Sequence, residues 1–401
     1  PFFEDGAAND DFNNRTVALL EAEGYDLEGA RVGKKIKSQI HVSPRAGFNW
    51  DVNGDNKTQI RGGLGIFTSR IPLVWPGGIY NNNGISVGGT AAFDSQTFVA
   101  DPNNQPLNGA PAPGSGANGG QIDIFSPDFK LPQVMKYNLG IDQKTNIWGL
   151  IVSADFLYNS TINNVFYQNL NLRNSTESLN NADGRPFYDR GDEVDDTYTR
   201  IILGTNTNEG WSYNGTFSIT KPFENGFGGQ VSYSYGQGKS IFEGTSSQNS
   251  SQWRGVATVN GKNTAGIGNS EFAFGHRVSA NASYEINWNE NLRTTFGMFY
   301  NGQQGGTINY IYRGRDLLND DSSDNALFYI PRDQSEINLV DNNGVTAAEQ
   351  WAALDAYIDS NDYLSERRGQ YAERNGDRGP WNHIVDLKVL QDFNLNINDK
   401  E

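Results

Sequence analysis

The stretch that decides the fold is Val278–Trp288, VSANASYEINW. Val278, Ala280, Ala282, Tyr284, Ile286 and Trp288 are apolar or aromatic, and Ser279, Asn281, Ser283, Glu285 and Asn287 between them are polar. A period of two belongs to a strand with one apolar and one polar face. Leu150–Tyr158, Trp211–Thr220 and the segment carrying Val231, Tyr233 and Tyr235 repeat the pattern. The segment from Ile384 to Ile397 repeats it too, with Val385, Leu387, Val389, Phe393 and Leu395 against Asp386, Lys388, Asp392, Asn394 and Asn396. Val42–Val52, Thr58–Ser69, Gln133–Lys144 and Arg293–Tyr300 bring the expected strands to nine.

The connections fall into two classes. Turns follow the first, third, fifth and seventh strands, at Asn53–Asn56, around Thr145–Gly149, at Pro222–Gly226 and at Asn289–Asn291. The other connections run to roughly 40 to 80 residues, the asymmetry of bacterial barrels, which put short turns on the periplasmic side and long loops outside. Compact soluble domains seldom hold several such loops. The expected fold is therefore all-β: an antiparallel transmembrane β-barrel with long extracellular loops and one short loop helix. That helix is Thr346–Ile358, opened by a Thr346/Glu349 capping box, with Trp351, Leu354 and Ile358 on one face. Tyr198–Gly204 reads as a further β segment, extending a hairpin above the membrane. Asp101–Gly120 reads as exposed coil.

Composition agrees. Among 401 residues 36% are hydrophobic, and mean hydropathy is −0.61. No stretch approaches the roughly 20 apolar residues of a spanning helix, so a bilayer is crossed by strands or not at all. The net charge of −16 argues against nucleic acid. The chain has no cysteine, which excludes disulfides and thiolate metal sites. Residue 1 is Pro, with no signal peptide following. An odd strand count in a class that favours even ones leads to the expectation of further strands before and after these nine.

Several phrases resemble the Oar-like TonB-dependent outer-membrane receptors of the Bacteroidetes type. They are SPRAGFNWDVNGDNKTQIRGGLGIFTSR (Ser43–Arg70), YNGTFSITKPFENGFGGQVSYSYG (Tyr213–Gly236), EGTSSQNSSQW (Glu243–Trp253), GHRVSANASYEI (Gly275–Ile286), FYNGQQGG (Phe299–Gly306) and NALFYIPRD (Asn325–Asp333). The most specific is RGQYAERNGDRGPWNHIVDLKVLQDF (Arg368–Phe393). The resemblance covers nearly the whole chain. It implies a portion of a 22-stranded barrel, with a plug and a TonB-contacting segment N-terminal to it and two strands after Glu401. It implies uptake energised through a TonB-type periplasmic protein, contact with outer-membrane lipid and lipopolysaccharide, and surface lipoprotein subunits as further partners. The chain departs from the family at Arg315–Asn325, RDLLNDDSSDN, where relatives have an Asn-Gly-Asp-Gly-type stretch.

Candidate sites are few. Asp51, Asn53 and Asp55 have the spacing that opens a calcium loop, but Asn56 and Gly62 stand where an EF-hand needs Gly and Glu, so a tight turn is expected. Asp316, Asn319, Asp320, Asp321 and Asp324 form a denser oxygen cluster, the candidate for Ca²⁺. Trp75, Tyr80 and Trp253 lie in loops and are candidates for ligand contact. Trp50, Trp148, Trp211, Trp288 and Tyr300, at strand ends, are expected in interfacial girdles. His276 and His383 each open a strand and are expected to hydrogen-bond at the rim; His41 lies far from both in sequence. The run Gly62–Gly65 lies inside a strand, where it lets the strand bend or a neighbour approach. No catalytic residue, cofactor or covalent chemistry is expected. Two other readings fit the residues: an outer-membrane docking platform binding proteins through its loops, and a secreted soluble β-adhesin or glycan-active protein.

Overall fold

The computed structural model describes residues 4–86, 99–101, 120–180, 182–189, 191–314, 316–321 and 324–394. Most of the Asp101–Gly120 coil, the last positions of the ninth expected strand, and Arg315, Ser322 and Ser323 of the acidic loop lie outside them. The nine strands are β1 (Arg45–Asp51), β2 (Thr58–Thr68), β3 (Gln133–Lys144), β4 (Ile151–Asn169), β5 (Trp211–Glu224), β6 (Phe227–Ser240), β7 (Gly275–Asn289), β8 (Leu292–Gln303) and β9 (Asn382–Phe393). They pair antiparallel in sequence order, β1 through β9.

The register aligns the two-residue pattern across the whole sheet. One row joins Trp50, Ile60, Ile141, Ala154, Phe217, Tyr233, Val278, Gly302 and His383. The row beside it joins Asn49, Arg61, Gly140, Asp155, Thr216, Ser234, Arg277, Gln303 and Asn382. Among the described residues no protein layer covers the apolar face. Phe48 is 54% exposed, Leu139 56%, Val231 55% and Leu387 77%. A soluble sandwich would bury these side chains against a second sheet. A sheet wearing such a face meets lipid.

Several expected boundaries shift, and three of the shifts have a visible cause. β1 starts at Arg45 rather than Val42, because Pro44 has no N–H; its carbonyl instead accepts from Ile66 N at 3.0 Å. β4 continues past Tyr158 to Asn169, a strand of 19 residues. Its upper end pairs with the strand Arg200–Thr207, which satisfies the backbone where the alternation fades. That pairing is the hairpin extension expected from Tyr198–Gly204. Finally, β5 runs through Pro222, and the turn is only Asn225–Gly226, with φ of 54° and 79°. Pro222 sits at a register shift between Phe227 and Gly229, one of the few places a strand tolerates proline.

The buried core lies in the connections. One cluster gathers Ile36, Ile71, Trp75, Phe125, Phe129, Tyr167, Ile202, Phe242, Trp253 and Leu318 from segments far apart in sequence. A second packs Phe12, Val17 and Leu20 of an N-terminal helical segment against Ile122, Ile124, Leu170, Ile201 and Leu203. The strand Gln121–Phe125 pairs in parallel with Arg200–Thr207 and feeds alternate side chains to both clusters. A third, around Ile330, Ile358, Leu364 and Ala372, seats the helix Ala347–Asp359. That helix is capped as expected, with Thr346 and Glu349 forming a reciprocal box.

Candidate functional site: a loop assembly at one end of a polar face

The polar face is lined with charge. The Arg61 guanidinium reaches across two strands, donating to Asp155 at 2.6 Å and to Asp142. Ser153 Oγ donates to the other Asp142 oxygen at 2.6 Å. Arg277 donates to Asn301 at 2.8 Å, and Arg293 to Asp392 at 2.8 Å. Near the long-loop end, Arg45 and Lys136 lie 4.4 and 5.2 Å from the Phe67 ring. Exposed pairs of this kind add little stability. Their physical effect is a face that carries both signs of charge and stays hydrated.

At the long-connection end the chain spends buried charge. Arg185 and Asp183 form a two-pronged pair with bonds of 2.6 and 2.5 Å, and Arg185 also donates to Leu327 O at 2.6 Å. Its guanidinium sits 5.4 Å from the Tyr312 ring and 5.2 Å from Tyr371. Lys262 and Asp320 form a second fully buried pair. Arg200 pairs with Asp321, with one bond of 2.9 Å. Arg374 donates to Ile241 O at 2.7 Å and to Ser240 O. These bonds tie the connection between β8 and β9 to the two preceding long connections. One removed partner in such a network leaves an orphaned charge, at a cost of about 3–5 kcal/mol.

This packing relocates most of the residues singled out from sequence. Trp253 is fully buried, its indole N–H donating to Asn263 at 2.8 Å; Trp75 is buried too, donating to Ser246 O at 2.9 Å. Both rings are consumed inside the loop core, and neither offers a face to solvent. Tyr80 is half-buried and donates to Glu4 O at 2.8 Å. The acidic cluster is not gathered around a common point. Asp320 faces Lys262 and Asp321 faces Arg200, while Asp324 accepts from Gly314 N, Asn319 donates to Tyr188 O at 2.9 Å, and Asp316 accepts from Asp320 N at 3.1 Å. Counter-cations from other loops pair with Asp320 and Asp321, so these two candidate carboxylates serve as a latch between connections.

The other candidates sit as follows. Asp51 accepts from Gly54 N at 3.1 Å and Asn56 N at 2.8 Å, closing the expected turn. His276 and His383 lie on the apolar side near the rim with separate partners, Tyr233 Oη at 2.6 Å and Tyr300 Oη at 2.9 Å. His41 lines a groove of about 560 Å³ with Ile71, Leu73, Phe129 and Leu131. Gly62 leaves room for the Phe48 ring, since a Cβ there would fall 2.6 Å from Phe48 Cε1.

A family model described as "Outer membrane beta barrel domain" matches residues 5–399. The chain belongs to the outer membrane β-barrel family. Membership places this barrel-family chain in the outer membrane and agrees with its two-faced antiparallel sheet. Solved structures it is similar to include the outer membrane transporter YddB from Escherichia coli, at 13% identity and a TM-score of 0.42, covering 87% of this chain and 34% of that one. A mutant of the ferric enterobactin receptor PfeA from Pseudomonas aeruginosa matches at 10% identity and a TM-score of 0.34, covering 66% and 28%. The siderophore receptor PirA from Acinetobacter baumannii matches at 12% and 0.34, covering 66% and 29%. The chain thus spans about a third of the length of these proteins or less. No curated protein matches it.

Two features of this barrel-family chain were missed in the sequence. The N-terminal helical segment had a signal that was passed over: Phe12, Thr16 and Leu20, spaced four apart, share a buried face. Asp123 had no signal at all. It sits in a short strand between Ile122 and Ile124, and only folding brings Asn82, Gln121 and Asn249 onto its carboxylate.

Proposed function

We propose that this chain is the loop-bearing part of the barrel of a TonB-dependent outer-membrane receptor of the Oar-like type, serving uptake of a substrate captured at the cell surface. The observation that carries the reading is the pairing of a lipid-type face with a charged, hydrated face, crowned at one end by the packed, described parts of the long connections. In this reading the assembly is extracellular and meets the substrate first. The polar face lines the path inward. A plug and a TonB-type partner, both supplied by the rest of the protein, provide gating and energy. The barrel wall itself performs no covalent chemistry. The quoted motifs, above all Arg368–Phe393, support the Oar-like assignment.

A docking platform for surface proteins is the second reading. The three clusters buried within the connections favour it, because a rigid crown presents a fixed surface. The native chain has no cysteine, so single cysteines report topology cleanly. Val345→Cys in the crown is expected to react with a membrane-impermeant maleimide on intact cells, and Asp55→Cys and Glu290→Cys in the short turns only after lysis. The reverse pattern refutes the orientation. Uptake that stops when the proton gradient is collapsed supports the receptor; a null mutant with normal uptake but lost surface proteins supports the platform.

A further inference from the structure

Between the helix Val74–Asn81 and the strand Gln121–Phe125 lies a pocket of about 340 Å³. Gly77, Gly78, Asn82, Gln121, Asp123 and Asn249 are among its lining residues. Asp123 is 3% exposed. Its carboxylate accepts from three carboxamides, Asn82 at 2.8 Å and Asn249 at 3.0 Å on Oδ2, and Gln121 at 2.6 Å on Oδ1. Gly78 lets the helix backbone close over it, since a Cβ there would fall 2.3 Å from Oδ2.

Four observations define what would fit. No Lys or Arg is among the described lining residues, so the carboxylate has hydrogen bonds and no counter-cation. Among the described residues Oδ1 takes one donor where a carboxylate oxygen accepts about two. The pocket runs along the helix from Val74 to Asn81 and past its end at Asn82, and the C-terminal end of a helix carries partial negative charge. Among the described lining residues there is no aromatic ring, the platform on which a sugar ring stacks. Burial raises the Asp123 carboxyl above its ordinary range against the opposing effect of its three donors, and a bound cation relieves that cost.

We propose that this pocket binds a cationic nitrogen group, an ammonium or guanidinium, carried by a small ligand or a peptide side chain. Among the described lining residues the only charged side chain is Asp123, which accepts and cannot donate when ionised; a partner bearing both N–H donors and positive charge complements it on both counts. The inference stands apart from energised uptake, because binding is measured on isolated protein, and its failure leaves the transport reading untouched.

The test is calorimetric titration of the detergent-solubilised full-length protein with agmatine, and with glucose in parallel. Saturable agmatine binding and no glucose binding are expected. Asp123→Asn is expected to weaken agmatine at least about tenfold, the scale of one charge-assisted hydrogen bond. Asn81→Lys, at an exposed rim position, places a tethered ammonium at the mouth and is expected to block agmatine while leaving the Asp123 network intact. The second variant decides the matter if the first fails to fold. Absence of agmatine saturation, saturable binding of glucose instead, or unchanged agmatine affinity in Asn81→Lys overturns the proposal. So does a folded Asp123→Asn protein that binds like wild type, since the carboxylate would then serve only to brace the loops.

Discussion

Replacing Lys262 with Met is expected to loosen the crown without touching the sheet. Lys262 and Asp320 are both essentially inaccessible, and the ammonium also lies 5.5 Å from the Trp253 ring. Burial drives each of the two groups toward its neutral form, and their mutual attraction opposes it. Removing the lysine leaves Asp320 buried without its cation. Breaking one side of a buried pair costs about 3–5 kcal/mol. At 1.4 kcal/mol per factor of ten, local opening should become more frequent by roughly two to four powers of ten. Amide hydrogen exchange reads this directly. The amides that should speed up are those whose bonds pass through this corner: Lys262 itself, Ala265, bonded to Lys262 O, and Tyr188, bonded to Leu318 O. Amides in the middle of β5 and β6 should exchange at the native rate. The double variant Lys262→Met with Asp320→Leu removes both charges and should regain most of the protection, because an apolar replacement of a buried pair is often neutral. Native exchange in the single variant refutes the reasoning. So does a double variant that opens as readily as the single.

Three further outcomes follow from other parts of the molecule. Val231→Arg on the apolar face should destabilise insertion by about 2–4 kcal/mol if the row lies at mid-bilayer, whereas Ser232→Arg on the polar face should cost far less; folding titrations into lipid vesicles compare the two. Thr346→Ala removes the capping hydroxyl of the helix Ala347–Asp359 and should cost that helix about 1 kcal/mol, seen as faster exchange in its first turn only. Burial raises the Asp195 carboxyl, but hydrogen bonds from Thr16, Thr197 and Arg15 outweigh it, so the folded value lies below the ordinary one. Its contribution is therefore complete above the unfolded value of about 3.9 and is lost as pH falls below that through the depressed value. Protease cleavage of the N-terminal helical segment should rise over that acid window in the native chain and stay flat in Asp195→Asn.

The strands could be read because their information is local. Alternation from Val278 to Trp288 specifies which side chains share a face before any partner strand is known, and Asn225–Gly226 marks a turn because both residues tolerate positive φ. The β4 and β5 boundaries were misplaced because a neighbour decided them. β4 outruns its own alternation because Arg200–Thr207 pairs with it, and Pro222 is tolerated because the register shifts there. The candidate sites were harder for the same reason. Trp75 and Trp253 look available in a loop sequence, and only packing against Tyr167, Phe242 and each other's segments shows them spent. The acidic run Asp316–Asp324 resembles a cation site until Lys262 and Arg200 arrive from connections 58 and 121 residues away.

By itself, then, the order of residues determined the two-faced sheet, its short turns and the capped helix, since a strand's period of two and a helix's first turn are set within a few bonds of each residue. Tertiary structure alone decided the crown. Its ion pairs, its buried indoles and the pocket around Asp123 join segments that no periodicity connects, and burial of charge is paid for only when every partner has arrived.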